Sequence, residues 1–180
     1  KEIQLLIINF IENDDDDEDF QTLTQFINEN NFSKNVADLR DLLNILYNIA
    51  NNNYRGINFF SKILQIIKYV QSDIQALLSN EEIYSIFHQN NLFTLKLINT
   101  KIIILTDEII SLIETTKRDP YYLMYLYLYY ETKQDYPEQE KIKNEITNSY
   151  HMSFDTFQQL CQNGENEFHV CNLIRQDSIN

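Results

Sequence analysis

Apolar residues in this chain recur three and four apart rather than at every second position, and short runs of Asn, Asp and Ser interrupt them. That spacing places the apolar side chains on one side of successive amphipathic helices. Over residues 2–12 the buried side is Ile3, Leu6, Ile7 and Phe10, and over about 20–30 it is Leu23, Phe26 and Ile27. Residues 36–50 carry the strongest stripe: Leu39, Leu42, Leu43, Leu46 and Ile49. After Asn51-Asn-Asn, a fourth helix is predicted from about Asn58 to Val70 through Phe60, Ile63, Leu64 and Ile67, with a short one following to Leu78.

The second half continues in the same manner. Residues 81–99 read as two short helices joined by the polar turn His88-Gln-Asn-Asn91. Thr106-Asp-Glu reads as the cap of a helix to Ile113. Asp119-Pro120 pairs a preferred N-cap with proline at the first helical position. A polar helix is expected beyond Pro137 to Tyr150, and Ser153 is expected to cap another to Cys161. The pattern of the first hairpin, Ile83, Ile86, Phe87, a four-residue polar turn and Leu92, recurs as Val170, Leu173, Ile174, a polar turn and Ile179. At this second copy the partner helix would begin at Ile179, so the chain reads as a piece of a longer helical array, and its first residue, Lys1, agrees.

Composition points the same way. Only 2 Gly and 2 Pro occur in 180 residues, too few for the turns of a many-stranded sheet, whereas Asn, Asp and Ser can cap helices and fill their turns. With 43% apolar residues the chain can build a core. The expected fold class is all-α: irregular helical hairpins in a solenoid-like, ankyrin-like array without significant sheet. Residues 1–78 form the N-terminal part, with an acidic linker near 13–19, and residues 79–180 the hairpin part, together one continuous domain.

Several of these segments carry a resemblance. Gly164-Glu-Asn, Cys171-Asn-Leu-Ile-Arg-Gln-Asp-Ser-Ile179, Asn51-Asn-Asn-Tyr-Arg55, Asn58-Phe-Phe60 and Ser79-Asn-Glu-Glu-Ile-Tyr-Ser-Ile-Phe-His88 resemble the N-terminal region of the ankyrin-repeat proteins of trichomonad protists. The likeness covers roughly residues 40 to 180. It implies a helical module placed before an ankyrin array, and it carries over no catalytic residue. The Thr-Pro-Leu-His signature of ankyrin repeats is absent from the chain.

Charge and chemistry narrow the function. A net charge of -13 argues against a nucleic acid gripped through its phosphates and against an anionic membrane surface. No apolar stretch approaches the length of a membrane span, and residues 3–11 lack the basic leader of a signal peptide. Two cysteines without a framework suggest a reducing compartment, so the expected location is the cytoplasm. His151, Cys161, His169 and Cys171 are too irregularly spaced for a zinc site; Cys171 is expected in the core and His169 in solvent. The run Asp14 to Asp19 lacks the glycine of a calcium loop and reads as a solvated linker, or as a dock for a basic partner. Arg55-Gly56 reads as a helix end, with Gly56 supplying positive φ and Arg55 bridging to carbonyls or a carboxylate.

No phosphate-binding glycine loop, nucleophile elbow, HExxH or dinucleotide fingerprint occurs, so no enzyme and no cofactor are expected. The expected activity is non-catalytic protein–protein interaction, as the helical cap of an ankyrin-repeat protein, with a structural subunit of a cytoskeletal or scaffold assembly as the alternative. Six tyrosines lie within residues 121–130, the least ordinary stretch of the chain. Although Tyr125-Leu-Tyr-Leu-Tyr129 alternates like a strand, the Asp-Pro before it favours a helix. Tyrosine joins an apolar ring to a polar tip and suits both a core and an interface. Tyr121, Tyr122, Tyr125 and Tyr129 are the candidate partner-binding residues, with a central core helix as the other reading.

Overall fold

The computed structural model describes residues 2–13, 17–52, 57–114 and 121–163. Regular structure among them is entirely α-helical, in eleven segments, and the chain divides by contact into two compact units, Lys1–Ile86 and Phe87–Asn180. The second copy of the hairpin pattern, Asp119-Pro120, Arg55-Gly56, His169, Cys171 and Asp14 to Asp16 lie outside the described residues.

Unit 1 contains α1 (Glu2–Glu12), α2 (Asp17–Glu29), α3 (Val36–Asn52), α4 (Ile57–Tyr69), α5 (Gln71–Leu77) and most of α6 (Glu81–His88). Most of the predicted stripe residues form its core: Ile3, Ile7 and Phe10 of α1, Leu23 and Ile27 of α2, and Leu39, Leu42, Leu43 and Leu46 of α3 are all 2% exposed or less, whereas Leu6, Phe26, Ile49 and Leu64 are only half-buried. Burying each such side chain stabilises the unit by roughly 1.5–3 kcal/mol. Helix α1 packs on α2 and α4, and α4 on α3 and α5. An aromatic series runs outward from that contact, with Phe10 and Phe20 rings 5.1 Å apart and Phe20 edge-on to Tyr69 at 6.1 Å.

Helix α2 begins at Asp17 rather than near Phe20, and the acidic residues Asp17, Glu18 and Asp19 make its first turn. Carboxylates there face the positive end of the helix dipole, which hydrophobic spacing alone does not register. At the other pole of α1, Lys62 reaches across from α4. Its ammonium donates to the carbonyls of Phe10 (2.9 Å), Ile11 (3.4 Å) and Asn13, and lies 5.4 Å from the Phe10 ring centroid. The last carbonyls of a helix lack intrahelical partners, so one cation both satisfies them and meets the negative end of the dipole.

Unit 2 contains α7 (Asn91–Asn99), α8 (Asp107–Glu114), α9 (Tyr121–Thr132), α10 (Tyr136–Tyr150) and α11 (Phe154–Asn163). Helix α9 packs against all four of the others. Side-chain oxygens open five of the helices: Asn35 accepts from Asp38 N (2.8 Å), Asn80 from Glu82 N (2.9 Å), Thr106 from Ile109 N (3.4 Å), Asp135 from Glu138 N (3.3 Å) and Ser153 from Thr156 N (3.2 Å). Helices α5 and α7 open without a side-chain cap. Thr106 and Ser153 are the caps expected from sequence.

Four helix C-termini among the described residues are closed without glycine. Asn31, Lys101, Gln134 and His151 have φ of 49°, 62°, 57° and 54°, each just past the end of a helix. At α2 the Phe32 amide donates to Ile27 O (2.9 Å) and the Asn31 amide to Asn28 O (3.2 Å). The Phe26 and Phe32 rings, 6.1 Å apart, supply the apolar contact that accompanies this paired-bond closure. The ends of α7 and α9 repeat the bonding, with Ile102 N to Leu97 O (2.9 Å) and Asp135 N to Tyr130 O (3.0 Å). At α10 a single bond from His151 N to Thr147 O (3.0 Å) serves.

One polar joint ties the α2–α3 turn to α5. The Ser33 hydroxyl donates to Asp73 Oδ2 (2.5 Å) and the Lys34 ammonium to Asp73 Oδ1 (2.9 Å). Burial pushes the Asp73 carboxyl up, but the Ser33 and Lys34 bonds and the Lys34 charge together outweigh it and hold the group below its ordinary value.

Two outcomes follow from these joints. Lys101→Gly, Gln134→Gly and His151→Gly should each raise stability by about 0.5–1 kcal/mol, because glycine carries no Cβ penalty at positive φ while adding some unfolded-state entropy. Thermal unfolding checks this, and an unchanged or lower midpoint at all three would refute it. Since the Asp73 pKa is lowered in the folded state, its contribution is complete above the unfolded value and fades as pH falls through the folded one. The stability lost in Ser33→Ala should therefore be greatest near neutrality and shrink below about pH 4. Denaturant titrations across that range test it, and a deficit independent of pH would count against it.

Candidate functional site

Helix α9 is where unusual composition and central position coincide. The alternation of Tyr125 to Tyr129 would suit a strand, but a helix pairs its own backbone groups, and this one is apolar nearly all round, as a helix surrounded by others must be. Tyr121, Leu123, Met124, Tyr125, Leu126, Leu128 and Tyr129 are all 8% exposed or less. Tyr122, Tyr127 and Tyr130 are half-buried. Of the four candidate partner-binding residues, Tyr121, Tyr125 and Tyr129 thus lie inside unit 2, and Tyr122 alone has surface to present.

A buried phenol hydroxyl usually finds a hydrogen-bond partner. Tyr125 donates to Oδ1 of Asn91, itself 1% exposed, at 2.6 Å. Tyr129 donates to Asp107 Oδ1, and the Lys133 ammonium donates to the same oxygen at 2.9 Å while lying 4.7 Å from the Tyr129 ring centroid. Asp107 opens α8 and Lys133 follows α9, so this one carboxylate ties the two helices together. The Tyr129 hydroxyl, then Lys133, hold the Asp107 carboxyl below its ordinary value. The Tyr129 hydroxyl, then Asp107, raise the Lys133 ammonium above its own.

Tyr122 and Tyr130 sit in a different field. Burial first, and then the carboxylates of Glu114 and Glu145, push the Tyr122 phenol up. Burial, then Glu138, Tyr129, Asp135 and Glu114, do the same for Tyr130. Glu114 of α8 is thus near enough to act on both. Farther along, Tyr127 packs on Phe154 with ring centroids 4.6 Å apart, and Tyr150 stacks on Phe157 at 5.2 Å, joining α9, α10 and α11.

Of the soft-metal candidates, His151 is exposed at the end of α10, and Cys161 is fully buried. Among the described residues no group of three or more His, Cys, Asp or Glu is placed to hold a metal ion. None of the helices described is long and apolar enough to cross a membrane. Sequence reasoning missed the Asp107–Tyr129–Lys133 cluster and Lys62. The four-residue step from Tyr129 to Lys133 was a usable signal, since residues so spaced are neighbours on a helix. Lys62 had none, because its target carbonyls belong to another helix. Comparison with known protein families, curated proteins and solved structures finds no match to this chain.

The Tyr125–Asn91 bond should be strongly coupled. Asn91→Ala, which leaves a buried phenol without this acceptor, should cost about 2–3 kcal/mol, and Tyr125→Phe about 1 kcal/mol. The double variant should be more stable than their sum by at least about 1 kcal/mol. A denaturant double-mutant cycle measures this, and strict additivity would show that the bond contributes no coupling.

Proposed function

We propose that this chain is a non-catalytic protein–protein interaction module. In this reading its short helical hairpins form an ankyrin-like solenoid segment at the start of an ankyrin array, and it binds a protein partner in the cytoplasm without a cofactor. The supporting observation is where the reactive side chains are engaged. Asn91 serves Tyr125, Asp107 serves Tyr129 and Lys133, Lys62 serves the end of α1, and Ser33 and Lys34 serve Asp73. Groups that could do chemistry are used to join helices, which favours a scaffold that displays surfaces. Net charge of -13 favours a protein over a polyanion as the partner.

Quantitative capture from cells, followed by a chase with excess untagged chain, tests the proposal. An interaction module should recover a partner that exchanges during the chase. A structural subunit would keep its partner at fixed stoichiometry, and recovery of nothing above an unrelated helical control would refute both.

A further inference from the structure

We propose that the strip Tyr122, Leu126 and Tyr130 on α9 is a docking surface for a Lys- and Arg-bearing helical segment of a partner protein; this deepens, and rests on, the reading of the chain as an interaction module. These residues are four apart and so lie along one ridge of the helix. The outer two are half-buried tyrosines and the middle one, Leu126, is 7% exposed. Helix α9 packs on α8 and on α10, and the carboxylates acting on the two phenols come from both neighbours: Glu114 from α8, Glu138 and Glu145 from α10. The strip is therefore an aromatic floor with acidic residues on either side.

Charge selects the occupant. Lys141 already pairs with Glu138 at 2.8 Å. Among the described residues, no cation forms an ion pair with Glu114 or Glu145. An ammonium or guanidinium arriving there would meet both a carboxylate and a tyrosine face, two favourable contacts for one cation. An acidic segment or a nucleic acid would meet repulsion instead. Eight residues along a helix separate Tyr122 from Tyr130 by about 12 Å, so basic side chains about two turns apart on a partner helix would reach both. The overall charge of -13 would speed the approach of such a segment.

The test selects displayed helical peptides of about 16 residues and random sequence on the folded chain, then measures their dissociation constants for the chain and for the E114Q/E145Q double variant. Both carboxylates are exposed, so the fold should survive, and thermal unfolding verifies that. The expected result is a marked excess of Lys and Arg in recovered peptides, binding about tenfold weaker to the double variant, and loss of affinity with added salt. Ring resonances of Tyr122 and Tyr130 should shift on binding. Recovery of no peptide, or of peptides without that excess, would overturn the proposal, as would equal affinity for chain and variant. If cellular capture yields an exchanging partner whose affinity is unaffected by E114Q/E145Q, the interaction module stands and this strip is not its surface. If neither capture nor selection yields a binder, both fail.

Discussion

Every α-helix leaves its first N–H groups and last C=O groups without partners inside the helix, and a chain built from many short helices meets that demand repeatedly. Here the demand organises the molecule. Short polar side chains answer it at the N-termini, at Asn35, Asn80, Thr106, Asp135 and Ser153. At the C-termini the backbone turns into the left-handed region on Asn, Lys, Gln and His, and at α1 a lysine from α4 meets the carbonyls directly. The last solution also fixes packing, because the cation that closes α1 belongs to a helix lying against it. Local hydrogen bonding and tertiary structure are thus settled by the same contacts.

Unit 2 solves a second problem with related means. A helix touched by four others has no polar face, yet α9 carries six tyrosines. Each ring supplies apolar area, while the hydroxyls of Tyr125 and Tyr129 reach the opening residues of α7 and α8, Asn91 and Asp107. A leucine in either place would fill similar space without specifying which helix end lies alongside. The phenols therefore contribute register as well as volume, while Tyr122, Tyr127 and Tyr130 stay half-buried on the same helix.

Much of the helical architecture was legible from spacing. The stripe Leu39, Leu42, Leu43, Leu46 marks α3 because core-facing positions must recur at the helical period, and Thr106 and Ser153 announce helix starts because their hydroxyls suit orphan amides. The start of α2 was misplaced since Asp17, Glu18 and Asp19 favour a helix through its dipole, not through burial. Positive φ at Lys101 and Gln134 could not be anticipated, as neither residue prefers it and the surrounding bonds impose it. The tyrosine stretch was visible as composition, but which rings turn inward depends on the neighbours around α9. That depends on contacts distant in sequence, as does the role of Lys62.

The chain contains no tryptophan and 12 tyrosines, eight of them in unit 2 and six on α9 alone. Half of the tyrosine absorption in the near ultraviolet therefore comes from one helix, and two thirds from unit 2. A near-ultraviolet spectrum of this protein is weighted toward unit 2. It senses whether α9 remains enclosed, while unit 1 adds only four tyrosines and is followed better through backbone signals.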